Sequence, residues 1–165
     1  MGFFLYFSLM YKSYSVEEAK RKLEYYCSYQ ERCHEEVISK LRELNMIPQA
    51  ADAIIAHLIE HNFLNEERFA RSFARGKHLI KHWGRRRIVN ELRARNISRY
   101  NIDNALKEID PDAYMDAFNA LAEKQWETMT ETNIYKKKKK VMDYLLRKGF
   151  ETDIIQNKLS ALANE

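Results

Sequence analysis

Glycine and proline are scarce in this chain, at four and two of 165 residues. A β-rich fold draws on both for its tight turns, so their shortage argues against one and favours long helices. It also leaves little material for loops that cradle phosphate. No P-loop, no dinucleotide-binding glycine pattern and no G-x-S-x-G elbow occurs. No cofactor is expected, and no catalytic residue stands out. Cysteine is nearly absent: Cys27 and Cys33 are the only two and are not spaced as C-x-x-C. That excludes a disulfide scaffold and points to a reducing cytoplasm. Long hydrophobic runs are missing as well. The apolar opening MGFFLYFSLM is too short for a bilayer, which takes about 20 residues. It lacks the positive n-region and small-residue cleavage site of a signal peptide. Residues 1–14 read as a tail, with Met10 as an alternative start, and no membrane partner is expected.

What is present is globular in composition, with 45% hydrophobic and 32% charged residues. Charge is spread unevenly. The net charge is +4, yet the segment from Arg75 to Arg99 holds nine basic residues against the single acid Glu91 and carries +8. Such an asymmetry suggests a polyanionic or acidic partner. A solvated helical face is the alternative reading of the same run.

The apolar residues repeat. Three segments beginning at Val37, Ile88 and Val141 align without a gap. Four residues on come Leu41, Leu92 and Leu145, and nine residues on come Met46, Ile97 and Phe150. Ala51, Ile102 and Ile155 follow, then Ile55, Leu106 and Leu159, and last Leu58, Ile109 and Leu162. Steps of three and four residues keep to one helix face. The five-residue step crosses a break, and Asn45, Asn96 and Gly149 stand just before its far side. These are the residue types that accept left-handed backbone after a helix. Each helix pair is preceded by another helical stretch with its own start signal. Ser15 with Glu18 fits a capping box, Asn65 fits an N-cap, and Asp110-Pro111 fits an N-cap with a first-turn proline. The expected fold is all-α. Three tandem three-helix repeats, at 15–63, 64–110 and 111–165, stack into an elongated, curved rod, expected to be monomeric.

Several groups look chemical. His57-Leu-Ile-Glu-His61 matches the inverted zincin pattern. No third ligand is indicated, so two outward-facing histidines and no metal are expected. Cys27, Cys33 and His34 read as one buried cysteine with surface neighbours. Tyr25, Tyr26 and Tyr29 can stack on bases, though interhelix packing is the expected role. Phe63, Phe69 and Phe73 read as core. The run Lys136–Lys140 opens a helix, as a solvated start or as point charges for an acidic surface.

The stretch Phe63-Leu-Asn-Glu-Glu-Arg68-Phe69-Ala70, then Trp83-Gly84-Arg85-Arg86-Arg87-Ile88 and Glu91-Leu92, resembles the central signature of the RecX family. The resemblance extends over roughly residues 15 to 162, with Ala19, Leu23, Arg32, Cys33, Glu36 and Val37 fitting the flanks. The third repeat departs most, through Glu131-Thr-Asn-Ile-Tyr-Lys136. The resemblance implies three-helix repeats and a regulator without chemistry of its own. It implies binding to RecA-type recombinase filaments on single-stranded DNA, restraint of the recombinase, and a place in DNA repair and the SOS response. A stand-alone basic nucleic-acid-binding protein is the alternative.

The expected contact surface lies in the second repeat: Arg75, Lys77, Lys81, His82, Trp83, Arg85, Arg86, Arg87, Arg93 and Arg95. Lys136, Lys138 and Lys139 of the third repeat are secondary candidates. Arg85, Arg86 and Arg87 open a helix, where cations oppose the macrodipole. An uncompensated local cost of that kind hints at function. The alternative is that an acid such as Glu91 pairs with these arginines, with Arg87 in reach in the less favourable orientation; Arg85 and Arg86 are expected to be exposed. Arg68 is expected to be structural, pairing with Glu66, Glu67 or a neighbouring unit.

Overall fold

The computed structural model describes residues 13–164. Among them are nine α-helices and no strand: α1 (Val16–Tyr29), α2 (His34–Glu43), α3 (Pro48–Glu60), α4 (Glu66–Lys81), α5 (Arg85–Ala94), α6 (Arg99–Leu106), α7 (Pro111–Thr128), α8 (Ile134–Lys148) and α9 (Thr152–Leu162). The helices start where the sequence says they should. Ser15 accepts from the Glu18 amide while the Glu18 carboxylate accepts from the Ser15 amide. Asn65 caps α4 and Asp110 caps α7, with Pro111 at the first helical position. Each such cap is worth about 1 kcal/mol.

The recurring five-residue step has a single local cause. Asn45, Asn96 and Gly149 all have left-handed backbone, with φ of 56°, 57° and 94°. The next amide then turns back onto the helix. Met46 N–H donates to Leu41 O at 3.1 Å, Ile97 to Leu92 at 3.1 Å and Phe150 to Leu145 at 3.2 Å. This is the Schellman closure, in which the residue beyond the left-handed position also makes an apolar contact with the last turn. Leucine and its partner five residues on are thus the two ends of one hydrogen bond. Asn62 and His82, with φ of 60° and 52°, end α3 and α4 in the same backbone region.

The chain divides into two compact units, one ending at Leu64 and the other beginning at Asn65. In the first, Ala19, Leu23 and Cys27 of α1 pack with Val37 and Leu41 of α2 and with Ile54 and Leu58 of α3. Ile54 is the buried isoleucine of α3, and Ile55 only partly so. The reading of one buried cysteine is corrected, since Cys27 and Cys33 are both buried. Cys33 sits at the N-cap of α2, where burial pushes its thiol pKa up. The packing role expected for the tyrosines also fails in part. Tyr26 is half-buried, but Tyr25 and Tyr29 are 73% and 74% exposed. Of the three phenylalanines, Phe69 is buried while Phe63 and Phe73 are partly covered.

In the second unit α4 lies along α6, and Phe69, Ala70 and Ala74 meet the core formed with Ile88, Leu92, Ile102 and Ala105. Phe118, Ala122, Val141, Leu145, Phe150, Ile155 and Leu159 form the corresponding core of α7, α8 and α9. An aromatic chain joins these two cores. His78, 3% exposed, stacks on Tyr114 with ring centroids 5.2 Å apart, and Tyr114 meets Phe150 at 5.5 Å.

Candidate protein and nucleic-acid interface

The arginines at the start of α5 are compensated after all, by groups about sixty residues further along the chain. The C-terminal end of α8 abuts the N-terminal end of α5. Gly84 N–H donates to Lys148 O at 2.8 Å, and Arg86 N–H donates to Gly149 O at 3.0 Å. The orphan carbonyls of one helix therefore satisfy the orphan amides of the other. The approach leaves no room for side chains. A Cβ on Gly84 would overlap the Gly149 carbonyl group, and a Cβ on Gly149 would overlap the Arg87 backbone.

The arginine side chains use the same junction. The Arg85 guanidinium lies 3.9 Å from the centroid of the Tyr114 ring and 3.8 Å from Glu151. Arg86 donates to Thr152 Oγ1 at 3.2 Å, and Arg87 donates to Arg147 O at 3.2 Å while lying over Trp83 at 4.0 Å. One expectation is corrected here and one alternative fails. Arg85 is half-buried, not exposed. Glu91 pairs with Arg95 at 2.7 Å, not with Arg87. The preference for Arg95 follows from direction: an acid four residues ahead of its base suits the helix better than the reverse.

Behind Arg85 sits Tyr114, 1% exposed. Its hydroxyl donates to Glu151 Oε2 at 2.6 Å and accepts from the Arg85 amide at 3.2 Å. Burial, and then the bond to Glu151, push the Tyr114 phenol far above the usual range. His78 adds a contact between its Nδ1 and Trp83 O at 3.1 Å. The residue-by-residue reading of the sequence overlooked His78, Tyr114 and Glu151. Gly84 was visible only as the glycine that opens the arginine motif.

The other candidates divide by partner. Lys77 lies over Trp83 and Phe73, at 5.1 and 5.3 Å, and Arg95 lies over Phe73 at 5.1 Å. Arg75 and Arg71 both reach Glu108, at 3.1 and 3.3 Å. Lys81 and His82 are exposed at the end of α4. Arg93 is exposed one turn beyond Asn90, and a shallow groove of about 430 Å³ is lined by Arg85, Arg86, Val89, Asn90 and Arg93. On α8, Lys137 lies over Trp126 and Lys140 pairs with Glu131. Lys138 and Lys139 line a separate groove of about 360 Å³ with Met142 and Gln156, and Lys136 is exposed. Among the described residues, Lys81, Arg93, Lys136, Lys138 and Lys139 make no ion pair.

The histidine pair of α3 is corrected in part. His57 is half-buried and turns toward α1, its Nε2 2.6 Å from Glu24 Oε1, while His61 is exposed. Among the described residues no group of three or more His, Cys, Asp or Glu could hold a metal ion. None of their helices is long and apolar enough to cross a membrane.

Comparison with known proteins places this geometry. Residues 65–106 match the family model of the second three-helix domain of RecX, and residues 112–159 match that of the third. A regulatory protein RecX of Bacillus cytotoxicus is 27% identical over 91% of this chain and 56% of its own length. Its counterpart in Serratia proteamaculans is 31% identical over 67% of this chain and 64% of its own. The crystal structure of RecX from Lactobacillus salivarius superposes with a TM-score of 0.76 at 27% identity, covering 91% of this chain and 97% of that one. The chain spans 56% and 60% of the length of the Bacillus cytotoxicus and Enterococcus faecalis relatives.

Proposed function

The chain belongs to the RecX family, and on that premise we propose that it binds a RecA-type recombinase filament on single-stranded DNA and restrains the recombinase. Its curated relatives are named regulatory proteins. The observation that carries the reading here is the cationic face of α5. Arg86 and Arg93 are exposed there, two turns apart, with Arg85 at the edge of the same groove and Lys81 exposed at the end of α4. Arg85 and Arg87 are held beside it by Tyr114, Glu151 and Trp83. The arginine fork suits carboxylate and phosphate geometry alike, so a filament that offers acidic protein surface and partly exposed phosphates fits it.

The test is binding to single-stranded DNA with and without recombinase and nucleotide. A filament regulator binds the assembled recombinase filament far more tightly than bare DNA, and it lowers ATP hydrolysis. The alternative, a stand-alone nucleic-acid binder, binds bare DNA equally well. Its affinity falls steeply with salt, by roughly three or more orders of magnitude across a modest range when several phosphates are neutralised. That outcome would replace the regulatory reading.

A further inference from the structure

The first unit carries a surface that the recombinase reading does not use. Along α1, Tyr25 and Tyr29 are four residues apart and so share a helix face. They are 73% and 74% exposed. Two large aromatic rings held in solvent on one face contribute nothing to the core beneath them. They border a groove of about 540 Å³ between α1 and α2, whose polar edge is formed by Arg21, Lys22 and Lys40. Among the described residues no carboxylate lines it. Of the nearby acids, Glu17 pairs with Lys20, Glu18 closes the cap with Ser15 and Glu24 meets His57, while Glu43 pairs with the groove's own Lys40.

From this juxtaposition we infer that the α1–α2 groove binds single-stranded nucleic acid, with bases stacked on Tyr25 and Tyr29 and backbone phosphates held by Arg21 and Lys22. Aromatic rings that accept any base, set beside a positive groove, are the means by which proteins hold unpaired strands without reading sequence. Lys40 is the weakest of the three cations for this purpose, because Glu43 already neutralises it at 2.7 Å. Tyr26 forms the floor, with the Arg32 guanidinium 3.8 Å from its ring centroid, so it packs and does not receive a base. The site is separate in sequence from α5 and stands whether or not the recombinase reading does.

The experiment uses the full chain without recombinase and follows the fluorescence anisotropy of a labelled oligothymidylate. Stacking contributes about 1–3 kcal/mol per base, and tenfold in affinity corresponds to about 1.4 kcal/mol. Tyr25→Ala and Tyr29→Ala should therefore each weaken binding by about five-fold to a hundred-fold. Tyr25→Phe and Tyr29→Phe should keep it, because the ring and not the hydroxyl is used. Arg21→Glu with Lys22→Glu should weaken binding and flatten its salt dependence. Duplex DNA should bind more weakly and respond little to the tyrosine changes. The proposal is overturned if the folded alanine variants bind as the unchanged chain does, or if the phenylalanine variants lose as much. It is equally overturned if an acidic peptide, and not the oligonucleotide, responds to these substitutions. Unaltered helical circular dichroism and melting temperature establish that the variants are folded.

Discussion

Three residues that look equivalent in the sequence are not equivalent in the structure. Asn45, Asn96 and Gly149 fill the same left-handed position after a helix, but Gly149 is also crossed closely by the Arg87 backbone. Asn45 is exposed at its left-handed position, so Asn45→Gly should change stability by no more than about 0.5 kcal/mol. Gly149→Ala meets both a strained φ and the Arg87 backbone. It should cost roughly 1–3 kcal/mol or more, read as the shift in a urea unfolding midpoint. Equal losses in the two variants would show that the crossing is unimportant. Tyr114 is the second case. Tyr114→Phe keeps the ring stacks with His78 and Phe150 but leaves Glu151 Oε2 and the Arg85 amide without the phenol. A loss of about 1–3 kcal/mol is expected for orphaned buried groups. Because the folded-state pKa of Tyr114 lies above its unfolded value of 10.0, its contribution is fully present below that pH. It fades as pH rises beyond it. The unchanged chain should therefore lose stability above pH about 10 more steeply than Tyr114→Phe does.

At the scale of elements, the helices themselves were legible in the sequence. Caps, left-handed terminators and three- and four-residue apolar steps are local, and the nine helices of the described residues follow from them. What escaped was whatever one element does for another. Three arginines at the N-terminal end of α5 read as an uncompensated cost because Lys148, Gly149 and Glu151 are remote in sequence. Once α8 docks, its carbonyls and Glu151 offset that cost, and the mismatch ceases to argue for function by itself. The tyrosines of α1 failed in the opposite sense: helical spacing predicted packing for a face that α2 and α3 leave open. For α5 the functional test changes accordingly. Arg86→Glu with Arg93→Glu alters exposed positions, so helicity and melting should be nearly intact while inhibition of recombinase ATPase weakens. The loss should exceed that from Lys138→Glu with Lys139→Glu. Arg85→Glu is the wrong probe, since it places a second acid beside Glu151 and removes the cation over Tyr114. Its effect on melting should be the larger one. Undiminished inhibition by a folded Arg86, Arg93 variant moves the working surface away from α5.

For the molecule as a whole, the recombinase partner proposed above was suggested only by resemblance. Composition and charge reached as far as a polyanionic or acidic ligand, because a +8 segment has the same meaning to DNA and to an acidic protein face. The second unit holds the α5 groove, the unpaired lysines of α8 and the glycine crossing within one compact body. That crossing has a kinetic consequence. The first amides of an isolated helix face water and exchange their protons quickly. Gly84 and Arg86 instead donate to Lys148 and Gly149, so in deuterated water their amides exchange only when α8 lets go. Two positions in the second repeat thus time the opening of the third. Phe150→Ala, which loosens the core under α8, should speed exchange at Gly84 and Arg86. The Asn101 amide, held by Ser98 at the start of α6, should keep its rate. If all three amides accelerate together, the second and third repeats open as a single unit, and α8 does not detach on its own.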